Sequence, residues 1–153
     1  MVDVANVMGA RADGWWRDRA GAALRLGREV LALAARDPRP AAAWVLVLEG
    51  RARDAAAGLR DAAPVRVVCA PGSGDDAIAG VAAEVIASGE SCLVVTADRE
   101  LRRRCEALGA AVVGPRWLLG LLLPGSIDVN LSLSPMHRTI WQSCSPARYR
   151  TGT

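Results

Sequence analysis

Five short apolar runs, at residues 2–7, 44–48, 65–69, 92–96 and 111–113, alternate along the chain with stretches of helical period. That alternation constrains the fold more than any other feature. Runs with apolar residues at successive positions, rather than at every second one, belong to strands covered on both faces. Between the first two, Trp16, Ala20, Ala23, Val30, Leu31 and Ala34 recur at helical spacing until Pro38 and Pro40 stop the element. Residues 51–60 read as a short polar helix. Ile78, Val81, Ala82, Val85 and Ile86 fill one face of a helix after Pro71-Gly-Ser-Gly74, and Leu101, Cys105 and Leu108 mark another that ends at Gly109. Pro115 suits the first turn of a last short helix through Leu122. Strands alternating with helices form βαβ units, so the expected fold is a three-layer α/β/α protein with a central, mostly parallel sheet.

At 153 residues the chain has the size of one domain. Its composition changes after Pro124, where Ala gives way to Ser, Thr, Ile and Met. Residues 1–123 are therefore expected to form the domain and 124–153 a loosely structured extension, with 127–133 as an edge-strand candidate.

All 19 basic residues are arginine. Without lysine, a phosphate-binding Walker loop, a Schiff-base enzyme and a receiver domain are excluded. A net charge of +3 permits nucleic acid as a partner. Cys69, Cys92, Cys105 and Cys144 are scattered, with no C-x-x-C pair, which points to reduced, buried thiols rather than zinc ligands. No apolar run approaches a membrane span, and the first residues lack the basic flank and apolar stretch expected of a signal peptide. The expected location is the cytoplasm, with no membrane partner.

Ligands of open α/β sheets sit beyond the carboxyl ends of the strands, and there the acids collect. Asp3 lies in the first run, with Asn6 after it. Glu49 follows the second run, Asp75 and Asp76 open the helix after the third, and Asp98 follows the fourth. Ser73 with Asp76 also fits a capping box, and Asp98 a helix cap. Against capping alone, Asp75 and Asp98 each stand three residues before a core residue, Ile78 and Leu101, which puts them on the buried stripe. Asp3 stands in a run that should be covered on both faces, where a lone carboxylate needs a cation or several donors. Hard oxygen ligands favour Mg²⁺ or Mn²⁺.

Asp3-Val-Ala-Asn6, then Gly72-Ser-Gly-Asp75-Asp76, then Thr96-Ala-Asp98 resembles, in order and placement, the D-x-x-N, DD and [ST]-x-D signature of the NYN/PIN-like ribonucleases. The likeness covers about residues 1–122. It implies that Asp3, Asp75 or Asp76, and Asp98 ligate metal, that Asn6 orients a ligand or water, and that Ser73 and Thr96 support the cluster. Glu49 is the one candidate for the further acid that many PIN enzymes carry on an early helix.

The chemistry so implied is metal-dependent hydrolysis of single-stranded RNA. Arg11, Arg17, Arg99 and Arg103 are candidates for gripping phosphates, and Trp15 for stacking a base, Trp16 being in register with the apolar face. Two rivals stand beside this expectation: a metal-dependent hydrolase of free NTPs, and a catalytically inactive PIN-like module that binds RNA or protein. A homo-oligomer and a protein regulator both remain open as partners.

Overall fold

The computed structural model describes residues 1–38, 40–59 and 64–123. The apolar runs become β1 (Val2–Asp3), β2 (Trp44–Leu48), β3 (Val65–Cys69), β4 (Leu93–Val95) and β5 (Ala111–Val113). They form one sheet in the order β3-β2-β1-β4-β5, and every neighbouring pair is parallel. From β1 the chain steps outward through β2 to β3, then crosses back to β4 on the other side of β1. The strand order therefore reverses at the β1–β4 seam, and a crevice opens at the carboxyl ends there.

Helices cover both faces, giving three layers. Residues that alternate along a strand point to opposite faces, and the core divides accordingly. Leu46, Leu48, Val95 and Val113 face α1 (Val4–Gly9), α2 (Arg19–Arg36) and α5 (Pro115–Leu122). Val47, Val94 and Val112 face α3 (Gly74–Ala87) and α4 (Arg99–Ala107). Leu26, Val30, Ile78 and Leu101 are at most 1% exposed, and each contributes about 1.5–3 kcal/mol through removal from water.

Several boundaries differ from the sequence expectation. The run at 2–7 is a strand only through Asp3. Its carboxylate accepts the Asn6 backbone N–H at 3.0 Å and starts α1 at once. A short apolar run does not by itself distinguish strand from buried helix, and the cap decides it. The polar helix at 51–60 is a 3₁₀ segment, Gly50–Gly58. Leu108 is exposed rather than buried, because α4 ends at Ala107 and Gly109 turns the chain at a φ of 92°, a conformation glycine adopts at no steric cost. Cys92 and Cys105 are buried thiols, but Cys69 is exposed on the edge strand β3. The extension at 124–153, with its edge-strand candidate and Cys144, lies outside the described residues. Among the described residues no helix is long and apolar enough to cross a membrane.

Candidate active site

The crevice at the switch point is a groove of about 730 Å³, lined among others by Asp3, Asn6, Glu49, Asp75, Asp98 and Arg116. Each strand or loop end supplies its side chain for a local reason. Asp3 is both the last residue of β1 and the N-cap of α1, which holds it at the seam, 8% exposed. Thr96 follows β4 and is fully buried. Its hydroxyl donates to Oδ2 of Asp3 at 2.9 Å and accepts the Asp98 N–H at 3.1 Å. Oδ1 of Asn6, one turn into α1, accepts the Ala97 N–H at 3.0 Å. The start of α1 and the loop after β4 are thus laced together by side chains, and the buried Asp3 and Thr96 satisfy each other, as buried polar groups require.

Asp98 caps α4, its Oδ1 accepting the N–H groups of Glu100 and Leu101, both at 2.8 Å. It still lines the groove. Capping and site placement, alternatives in the sequence, are met by one carboxylate. Glu49 reaches from the end of β2 to accept the Gly74 N–H at 2.8 Å, an otherwise orphan donor at the start of α3. Asp75, in the first turn of α3, lines the groove with its carboxylate free of hydrogen bonds and ion pairs among the described residues.

Electrostatics follow from this convergence. The Asp3 carboxyl is pushed above the ordinary carboxylate range, chiefly by burial, and further by the charges of Asp75 and Glu49; the Asn6 N–H and the Thr96 hydroxyl pull the other way. Asp75 is pushed up as well, by partial burial first and then by Asp98 and Glu49, with Arg104 opposing. No arginine pairs with Asp3 among the described residues.

Other candidates stand elsewhere. Asp76 is exposed, turned away to Arg104 in an ion pair of 2.8 Å. Ser73 caps α3, accepting the Asp75 N–H at 3.2 Å, and does not line the groove. Arg11 is tied to Glu29 on α2 by a two-pronged contact. Arg103 pairs with Glu100 at 3.4 Å on the outer face of α4, where Arg99 is also exposed. Trp15 packs against the core while Trp16 is 59% exposed, the reverse of the sequence expectation. The two tryptophans sit on a separate 3₁₀ turn, Trp15–Arg17, ahead of α2, so the helical register that placed Trp16 inward does not extend to it.

Sequence reasoning missed Arg116, the cation that lines the groove. It stands in the first turn of α5, directly after β5, and the rule that sites lie beyond strand carboxyl ends could have found it. The donor set is oxygen throughout, suited to a hard divalent cation. Among the described residues, no three His, Cys, Asp or Glu side chains stand close enough to hold a metal as they are. Compared with models of known protein families, with curated proteins and with solved structures, the chain matched none.

Proposed function

We propose that the groove is the site of a Mg²⁺- or Mn²⁺-dependent phosphodiester hydrolase acting on single-stranded RNA in the cytoplasm. One observation carries this: Asp3, Glu49, Asp75 and Asp98, from three strand ends and a helix start, line a single groove at the switch point of a parallel sheet. A buried carboxylate such as Asp3, with the charges of Asp75 and Glu49 close to it, is costly to fold, and a cation would offset that cost. The resemblance of the Asp3, Asp75 and Asp98 motifs to NYN/PIN-like ribonucleases points to the same chemistry.

Asp3, Asp75 and Asp98 would hold the cation, with Glu49 at the margin. When bound, it would neutralise phosphate charge and acidify an attacking water. The chain's own contribution is positioning. Thr96 fixes the Asp3 carboxylate through its hydroxyl, and Asn6 fixes the loop that presents Asp98. Arg116 supplies positive charge at the groove for a phosphate, a contact that gives affinity without sequence choice.

A second reading, a binding module without turnover, is favoured by the structural work that Asp98 and Glu49 already do as acceptors for the starts of α4 and α3. Incubation with labelled single-stranded RNA and with NTPs, in Mn²⁺ and in EDTA, separates these. The expected result is RNA cleavage in Mn²⁺ that EDTA abolishes. Full activity in EDTA would overturn the metal mechanism. Phosphate or pyrophosphate release from NTPs, with RNA intact, would assign a nucleotide hydrolase. RNA binding without any cleavage would assign the binding module.

A further inference from the structure

Among the described residues, one large exposed aromatic group does not line the groove. Trp16 is 59% exposed, although α2 and the core lie directly beside it. Its ring is not loosely hung. Trp15, packed on the core, meets it edge to face, with ring centroids 6.3 Å apart and planes at 86°. The Arg17 guanidinium lies 5.9 Å from the Trp16 ring centroid, and that of Arg19 lies 5.3 Å from the Trp15 ring centroid. Neither arginine makes an ion pair among the described residues. Asp13 and Asp18, the nearby acids, accept the backbone N–H groups of Trp15 and Gly21 instead.

This turn adjoins the groove. Gly9 and Ala10 at the end of α1 line it, and a methyl group added at Gly9 would lie 3.9 Å from the Trp15 ring. Trp15, the inner ring of the pair, thus stands beside the wall of the groove that Gly9 and Ala10 form, and Trp16 meets it edge to face on the outer side.

We propose that Trp16, braced by Trp15 and flanked by Arg17 and Arg19, is a stacking platform for one unpaired base of a nucleic-acid strand lying in the groove. The inference rests on the reading of the groove as a single-stranded RNA site and extends it to how the strand is held. Every base offers a π-face, so such a platform is tolerant of sequence and demands only that the base be unpaired. The two guanidinium groups, held over the rings and paired with no carboxylate among the described residues, complement the phosphates on either side of that base. A duplex, whose bases are stacked on one another, has none to offer.

Binding in EDTA, where no metal-dependent turnover occurs, tests the platform apart from the chemistry. Anisotropy of a short labelled oligouridylate is measured with the native 153-residue chain and with Trp16→Ala, Trp16→Phe and Arg17→Ala. Base–aromatic stacking predicts a five- to hundredfold loss of affinity, roughly, for Trp16→Ala and recovery of most of it in Trp16→Phe. Arg17→Ala should reduce the slope of log affinity against log salt by about 0.7. A strand of the same length lacking its bases should bind the native protein and Trp16→Ala alike. Trp16 is exposed, so thermal unfolding of the variants should stay near that of the native protein.

Unchanged oligouridylate affinity in Trp16→Ala would overturn the platform, as would an equal loss on the base-free strand. Loss of self-association in Trp16→Ala by sedimentation, with RNA affinity intact, would assign the ring to a protein contact and overturn it too. Failure of Mn²⁺-dependent cleavage, with the stacking effect present, would remove the catalytic reading of the groove and leave the platform standing.

Discussion

Thr96 donates its hydroxyl to Asp3 at 2.9 Å across the β1–β4 seam, and this bond joins residues 93 positions apart in the chain. The same oxygen accepts the Asp98 N–H. One fully buried side chain therefore sets both the first and the last carboxylate of the groove.

Thr96→Val keeps the shape and removes the hydroxyl. Asp3 then loses a donor and the Asp98 N–H loses its acceptor, each a desolvation cost with no return. The expected loss is about 1–3 kcal/mol in denaturant unfolding, with Thr96→Ser recovering most of it. A Thr96→Val protein as stable as the native one would mean that water or another group takes over both contacts.

The raised Asp3 carboxyl has a consequence for pH. Its ordinary value is 3.8 and the folded value lies higher. The folded state therefore holds a proton that the unfolded chain has already released. Stability from this group is fully present below 3.8 and is lost as pH rises through the folded value. Asp75 acts in the same direction. Asp3→Asn, which retains an oxygen for the Asn6 N–H, should flatten the fall in stability with rising pH in that window. Denaturation curves at a series of pH values, without divalent metal, measure it. A slope unchanged in Asp3→Asn would mean that other groups set the pH response.

Much of this arrangement was legible in the sequence. The β2, β3 and β5 runs and the α5 start at Pro115 follow from apolar continuity and proline chemistry. So does the gathering of Asp3, Glu49, Asp75 and Asp98 at one sheet edge, since a parallel sheet aligns its carboxyl ends. What could not be read depends on direction rather than pattern. Asp75 and Asp76 are adjacent, yet one faces the groove and the other faces Arg104 on α4, a partner 28 residues away. The inward Trp15 and outward Trp16 were inverted because the local 3₁₀ turn broke the helical register. Pairing of Arg11 with Glu29 required knowing how α1 and α2 pack.

Gly74 gives a test of Glu49. A methyl group at Gly74 would lie 2.6 Å from the Glu49 carboxylate oxygen that accepts the Gly74 N–H. Helix propensity favours Ala over Gly by about 1 kcal/mol, while the displaced Glu49 gives up its hydrogen bond. Gly74→Ala should therefore change stability by no more than about 1 kcal/mol, while altering the Mn²⁺ dependence of turnover. If turnover in a Mn²⁺ titration is indistinguishable from native, Glu49 is a structural acceptor alone.

The last prediction sets charge against capping at Asp75 and Asp98. Asp98 accepts two N–H groups of α4, so Asp98→Ala should cost about 0.5–2 kcal/mol. Asp98→Asn retains a capping oxygen and removes a charge that repels Asp75, so its melting temperature in EDTA should equal or exceed the native value. Asp75 accepts no hydrogen bond among the described residues, and its charge is opposed by Asp98, Glu49 and Asp76. Asp75→Asn should therefore raise the melting temperature near pH 7, and the gain should fade on acidification as native Asp75 itself takes up a proton. If the two carboxylates share a cation, both Asn variants should also weaken the stabilisation gained from Mn²⁺, since a ligand stabilises only in proportion to its binding of the folded state. On the proposed function, RNA cleavage should fall to background in Asp98→Asn while RNA affinity survives, since cations such as Arg116, not carboxylates, would carry that affinity. A melting temperature that drops in both Asn variants in EDTA, with the Mn²⁺ response intact, would reduce these aspartates to structural roles and remove the metal site.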